Sequence, residues 1–182
     1  MENPFIINLM RAMDVNQVID LESVHDTYPD ETKLYRGRPE MLTMRMTNGR
    51  CLQMFRGGKV QILGCIPTSD AEKMRLEFIN RLKKMKKMRN SRVTKLTIVN
   101  MVVSAQLVKK TCLRKIARSD SNLFYEVELF PAALIKKWHP VHVAVFHNGK
   151  VIFTGLKSVA HATDVLSLAT SFLQSSHLLL DK

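Results

Sequence analysis

Two stretches of the 182-residue chain decide its reading: MFRGGKVQILG, from Met54 to Gly64, and VFHNGKVIFTG, from Val145 to Gly155. Phe55 aligns with Phe146, Gly58 with Gly149, Lys59 with Lys150, Val60 with Val151 and Gly64 with Gly155, each 91 residues apart. Self-similarity at a fixed spacing marks a repeat architecture and outranks any local reading. The spacing extends back to Arg45 and Lys136; further upstream the match shifts to 97, pairing Asn3 with Asn100 and Ile19 with Ile116. On that reading the first copy carries six extra residues between about Asp20 and Pro39. Tyr28-Pro29-Asp30 and Gly37-Arg38-Pro39 in that stretch are turn formers, so it is expected as loop. Two domains follow, a first repeat over 1–92 and a second over 93–182.

Each copy has one order of elements. An extended segment (Pro4 to Leu9; Lys95 to Leu107) precedes a short helix (about Val15 to Ser23; Thr111 to Arg118). Strands follow at Met41–Met46, Arg50–Phe55 and Val60–Leu63, and at Leu134–Trp138, Val141–Phe146 and Val151–Thr154. Arg56-Gly57-Gly58-Lys59 and His147-Asn148-Gly149-Lys150 are hairpin turns, because glycine and asparagine accept positive φ. A long helix closes each copy. The first opens on Ser69-Asp70-Ala71-Glu72, a capping-box pattern, and sets Ala71, Met74, Phe78, Leu82 and Met85 at spacings of three and four. The second starts near Ser158, with Val165, Leu168, Ala169 and Phe172 as its apolar face. The class predicted is α+β: an antiparallel sheet with helices on one face and its other face left for solvent or a partner.

Composition narrows the partner. Lys and Arg number 28 against 16 Asp and Glu, a net charge of +12, which favours polyanions. Hydrophobic residues make up 46% of the chain, enough for a core, and no apolar run is long enough to span a bilayer, so no membrane role is expected. The opening MENPFIINLM lacks a basic n-region, so no secretory signal is expected. Cys51, Cys65 and Cys112 form no CxxC pair, which argues against a disulfide framework or a cysteine zinc site. The six histidines show no ligand spacing, so no metal is expected. No Ser-His-Asp, P-loop or glycine-rich cofactor pattern occurs; the expectation is a binding protein without cofactor, not an enzyme.

Alternation places Val141, Val143 and Val145 on the core face and His142, Ala144 and Phe146 on the other. Likewise Leu52 and Met54 lie opposite Cys51, Gln53 and Phe55. Alone, Phe55 and Phe146 read as ordinary core aromatics. Their recurrence at one place in both copies, each before a turn and a lysine, suggests a wedge beside a cation, which suits minor-groove kinking.

The second copy carries more. Ile98 to Leu107, FYEVELFPAALIKKWHP (Phe124 to Pro140) and VAVFHNGKVIFTG (Val143 to Gly155) resemble the second repeat of the TATA-box-binding protein core. The carriers are an Asn-Met-Val strand, a Tyr-Glu-x-Glu-Leu-Phe-Pro stirrup and a Phe-x-x-Gly-Lys hairpin ending in Thr-Gly. The first copy matches more loosely, and the resemblance covers about Asn3 to Ser175. It implies a saddle, two tandem repeats forming one curved antiparallel sheet with helices on the convex face. It also implies a transcription-initiation factor that wedges and bends A/T-rich DNA from the minor groove, a mechanism for which that family is itself the reference case. Phe130 and Phe146 resemble the paired wedges of one half, and Phe55 one wedge of the other. Asn3 and Asn100 resemble the central asparagines that donate to minor-groove acceptors. Val102 and Thr154 resemble the apolar and hydroxyl groups that line the same surface, and Arg45, Lys59, Lys136 and Lys150 match phosphate-contacting cations. Glu126, Glu128 and Leu129 match the stirrup surface that docks a IIB-type general factor. A IIA-type factor, indirect contact with the RNA polymerase machinery, and a nuclear location or a site of viral transcription are also implied.

Departures gather in the first copy. Pro39 stands at the companion wedge position, with Tyr35 nearby as a substitute; Leu63 replaces Thr154 and Gln61 replaces Ile152. Pro4 removes a strand donor after Asn3. These departures motivate an alternative: a saddle-fold interaction adaptor in transcription that has lost TATA-specific binding. An unrelated basic RNA binder would instead need aromatics that stack single strands. Lys83 to Lys95 holds seven cations in thirteen positions and reads as a solvated helix end, a phosphate patch, a docking surface or a nuclear localisation signal.

Overall fold

The computed structural model describes residues 2–64, 67–107, 110–114 and 122–175, with backbone only at 2, 3 and 175. Its compact units are Met10–Ile98, and Met1–Leu9 with Val99–Lys182. In the first unit, β1 (Glu2–Asp14, entering from Met10), β2 (Thr32–Tyr35), β3 (Met41–Arg45), β4 (Cys51–Phe55) and β5 (Lys59–Leu63) form an antiparallel sheet ordered β2-β3-β4-β5-β1. In the second, β6 (Thr97–Gln106), β7 (Leu123–Phe124), β8 (Ala132–Trp138), β9 (Val141–Phe146) and β10 (Lys150–Leu156) are ordered β6-β10-β9-β8-β7. Helices α1 (Leu21–Thr27) and α2 (Thr68–Lys84) belong to the first unit and α3 (Val159–Ser175) to the second. The α+β class and the two tandem copies hold. Among the described residues no helix is long and apolar enough to cross a membrane.

Register explains the cores. In the second unit Val103, Phe153, Val143, Ile135 and Leu123 form one cross-strand row, and all five are buried. In the first, Met13, Val60, Met54 and Leu42 form a cross-strand core row beneath Ala71, Met74, Phe78 and Leu82 of α2. Burying each large side chain stabilises by about 1.5–3 kcal/mol. The α2 stripe is therefore core, as its spacing predicts. Gly58 shows why the hairpin turn needs glycine: its φ is +96°, and a Cβ there would lie 2.5 Å from the Val15 carbonyl oxygen.

Six expectations change. The repeat spacing upstream is 92, not 97. Asp14 pairs with Lys59 as Gln106 pairs with Lys150, and Val15 N donates to Gly58 O as Leu107 N donates to Gly149 O. Counting back along both strands sets Asn8, not Asn3, at the place of Asn100, and Met10 at that of Val102. Residues 3 and 8 are both asparagines, and Ile7-Asn8-Leu9 against Val99-Asn100-Met101 is the better local match. The six-residue insertion shrinks to one residue. Thr32 pairs with Met44 and Leu123 with Ile135, both pairs 91 apart, so the segment following each of these strands is equal in both copies.

The short helix begins at Leu21 rather than Val15, because Val15 N and Ile19 N are spent on Gly58 O and Arg56 O of the hairpin. Asp20 caps it, its carboxylate accepting from Ser23 N. The stretch expected as loop also contains β2. The capping box does not form: Pro67 is the N-cap of α2, Ser69 lies inside the helix, and Glu72 pairs with Arg75 at 2.7 Å. Finally, Leu168 is 55% exposed; the buried face of α3 is Ala162, Val165, Ala169 and Leu173, with Phe172 set edge-on to Trp138 at 5.8 Å. Of the helix expected over Thr111–Arg118, Leu113 and Arg114 are helical, and residues 115–118 lie outside the described residues, as do Cys65 and His177.

Candidate nucleic-acid interface

The faces opposite the two cores differ in chemistry. In the second unit the row one residue removed from the core row is Ser104, Ile152, Ala144, Leu134 and Phe124. Ile152, Ala144 and Leu134 are half-buried and Phe124 is exposed. The corresponding row in the first unit is Ala12, Gln61, Gln53, Thr43 and Lys33. One copy therefore presents an apolar strip and the other an amide and hydroxyl strip.

Aromatic rings stand beside each strip. Phe130 and Phe146 meet at 6.0 Å between centroids and 63° between planes. Edge-to-face contact of this kind suits the ring quadrupoles. Register brings them together: Phe146 pairs with Ala132, two residues beyond Phe130. Phe130 remains 42% exposed. In the first unit Tyr35, Met41 and Phe55 form one cross-strand row, with the Lys33 Nζ 5.1 Å from the Tyr35 ring centre. Pro39, at the register position of Phe130, is exposed.

Polar groups on the second unit's strip are held in place. Asn100 Oδ1 accepts from Gly155 N at 3.0 Å, and Thr154 Oγ1 donates to His142 O at 3.3 Å. Val102 is half-buried beside them in β6. The side chain of Asn3 lies outside what is described; Asn8 is exposed.

Arg45, Lys59, Lys136 and Lys150 are all exposed, and among the described residues none has an acidic partner. Other cations are neutralised. Arg56 binds Glu40 at 2.7 Å and Glu22 at 3.0 Å, and these partners hold its proton more tightly. Arg81 binds Glu77, and Lys87 binds Asp20. Lys59 is thus the free cation of its turn. Exposed lysines without partners keep their full charge for an anion.

A separate acidic and apolar tip follows β7. The Glu126 carbonyl accepts from Leu129 N at 3.0 Å and Phe130 N at 2.9 Å, closing a tight turn. The turn leaves Glu126 and Glu128 exposed and Leu129 77% exposed. Sequence reasoning missed Arg11, a buried cation whose Nη2 reaches Thr68 Oγ1 at 3.2 Å, and the direct opposition of Gln53 and Gln61, which register shows.

Comparison with known proteins agrees with this build. The sequence profile of the family described as transcription factor TFIID (or TATA-binding protein, TBP) matches residues 3–85 and 95–176, segments that start 92 residues apart. The TATA-box-binding protein of Methanocaldococcus jannaschii is 30% identical over 162 residues, 88% of each chain. The TBP-related factor of Drosophila melanogaster is 28% identical over 176 residues, 92% of this chain and 75% of that protein. The solved structure of Methanococcus jannaschii TBP superposes with a TM-score of 0.73 at 28% identity, covering 95% of this chain and 99% of that one. The chain belongs to the TATA-binding protein family of transcription factors.

Proposed function

We propose that this family member binds duplex DNA in the minor groove through the strips described above, wedging Phe130 and Phe146 into a base step and bending the duplex. The observation that carries the reading is the Phe130–Phe146 pair beside the apolar strip, Phe130 exposed and Phe146 half-buried, with Lys150, which has no acidic partner among the described residues, on the adjoining turn. Rings unstack the step, and the lysines hold phosphates. Phe55 wedges for the first unit. Asn100 serves as donor to A N3 or T O2, since its oxygen is committed to Gly155, and Asn8 takes the matching place in the first copy. The Glu126–Leu129 tip docks a IIB-type factor, a IIA-type factor joins elsewhere, and the protein acts where the genome is transcribed, the nucleus in a nucleated cell.

A gel shift on TATA-like and scrambled duplexes at two salt concentrations tests this. Four free cations imply a log–log salt slope of about −3 to −4. Preference for the TATA-like duplex supports the reading. The amide-lined strip of the first unit favours a second reading, an interaction adaptor without TATA preference. Equal weak binding to both duplexes, or none, supports that one.

A further inference from the structure

We propose that Gln53 and Gln61 make the first unit tolerant of G·C base pairs in the half-site it covers, while the second unit excludes them. The inference rests on the minor-groove reading above and adds a direction to it. Gln53 and Gln61 are direct cross-strand partners on β4 and β5, both half-buried. Directly opposed residues in such a pair have Cβ atoms about 4.5–5.5 Å apart. Among the described residues neither amide has a hydrogen-bond partner, so both are free to serve a ligand. Their equivalents 91 residues on are Ala144 and Ile152, themselves a cross-strand pair with no polar side-chain atom.

The chemistry of the groove floor makes that difference count. An A·T pair offers only acceptors there, N3 and O2. A G·C pair adds the N2 amino donor of guanine. Against Ala144, Ile152 and Leu134 that donor loses its water and finds no acceptor, the costly outcome for a buried polar group. Against the first unit it meets a Gln Oε1, while the same amide's NH2 donates to a neighbouring N3 or O2. Thr43, next in the row, supplies a hydroxyl that both donates and accepts. The first unit thus matches either kind of pair, and the second matches one.

The test walks single G·C replacements along an A·T-only duplex and measures competition by fluorescence anisotropy with the full chain. For the unaltered protein, replacements in one half-site should weaken binding less than about threefold, and those in the other about tenfold or more. Gln53→Ala with Gln61→Ile, which installs the second unit's residues, should lower the ratio of G·C to A·T affinity in the tolerant half about tenfold. The reciprocal pair, Ala144→Gln with Ile152→Gln, should raise that ratio in the intolerant half, and it decides the matter if the first variant does not fold. Equal discrimination in both halves by the unaltered protein, or tolerance that survives the first pair of substitutions in a folded protein, overturns the proposal and leaves the DNA reading standing. Failure of the folded, unaltered protein to bind any duplex overturns the DNA reading, and this inference with it.

Discussion

Asn100 Oδ1 and the Gly155 amide are joined by a hydrogen bond of 3.0 Å across β6 and β10. Only the oxygen of a carboxamide can accept, so the bond fixes which half of Asn100 is free. The free half is an NH2, a donor, and donors suit the acceptors on a minor-groove floor. The bond sits where the register of β10 on β6 shifts and Gly155 takes φ of +88°.

Asn100→Asp should separate folding from binding. The carboxylate still accepts from Gly155, so the melting temperature should hold within a few degrees. The donors are gone and a negative charge replaces them, so duplex affinity should fall at least about tenfold. Asn100→Leu should do both kinds of harm, leaving the Gly155 N–H unpaired at about 1–3 kcal/mol. Thermal unfolding paired with anisotropy titration checks this.

Gly155→Ala tests the backbone beneath that bond. A Cβ at residue 155 would sit 2.5 Å from the Pro140 carbonyl oxygen, closer than real Cβ atoms come, and at a φ that L residues resist. The expected cost exceeds about 1 kcal/mol, read as a lower denaturation midpoint at unchanged slope.

Much of this was legible. Hairpins with glycine turns, alternating strands and the α2 stripe follow from spacing that local physics enforces, and the repeat fixed their order. What the sequence hid is pairing at a distance. The backbone donors of Val15 and Ile19 go to the hairpin turn, which starts α1 six residues later than its composition suggests. The partner of Asn100 in the other copy is set by register, because positions 3 and 8 are both asparagines and identity does not separate them. The Gln53–Gln61 pair needed the same information, since neither residue is informative until its cross-strand neighbour is known.

Asp20 predicts a pH effect on α1. Acceptance from Ser23 N is the main reason its carboxyl pKa lies below the ordinary value, with Lys87 and Arg56 adding to it. A depressed folded-state pKa gives stability that is present above the unfolded pKa and lost as pH falls through the folded one. Asp20→Ala should therefore lower the melting temperature at neutral pH, and the gap should close as pH is taken below the carboxylate range. A gap that persists there contradicts the charged cap.

Glu128→Arg tests the stirrup tip. Glu128 is exposed and among the described residues has no ion-pair partner, so fold and duplex binding should be untouched. A ternary gel shift with a IIB-type factor should lose its upper band. An unaffected ternary complex contradicts docking at this tip.

The wedge is the centre of the account, and one measurement meets it directly. A duplex carrying a fluorescent donor and acceptor at its ends reports bending as a rise in energy transfer when protein binds. Phe130 is exposed and Phe146 half-buried, and their edge-to-face contact is worth about 0.5–1.5 kcal/mol beyond area, so changing both to Ala should leave the fold intact by circular dichroism. The unaltered protein should raise transfer on an A/T-rich duplex, and the double variant should abolish the rise. A bend of the same size from the folded double variant would contradict the account.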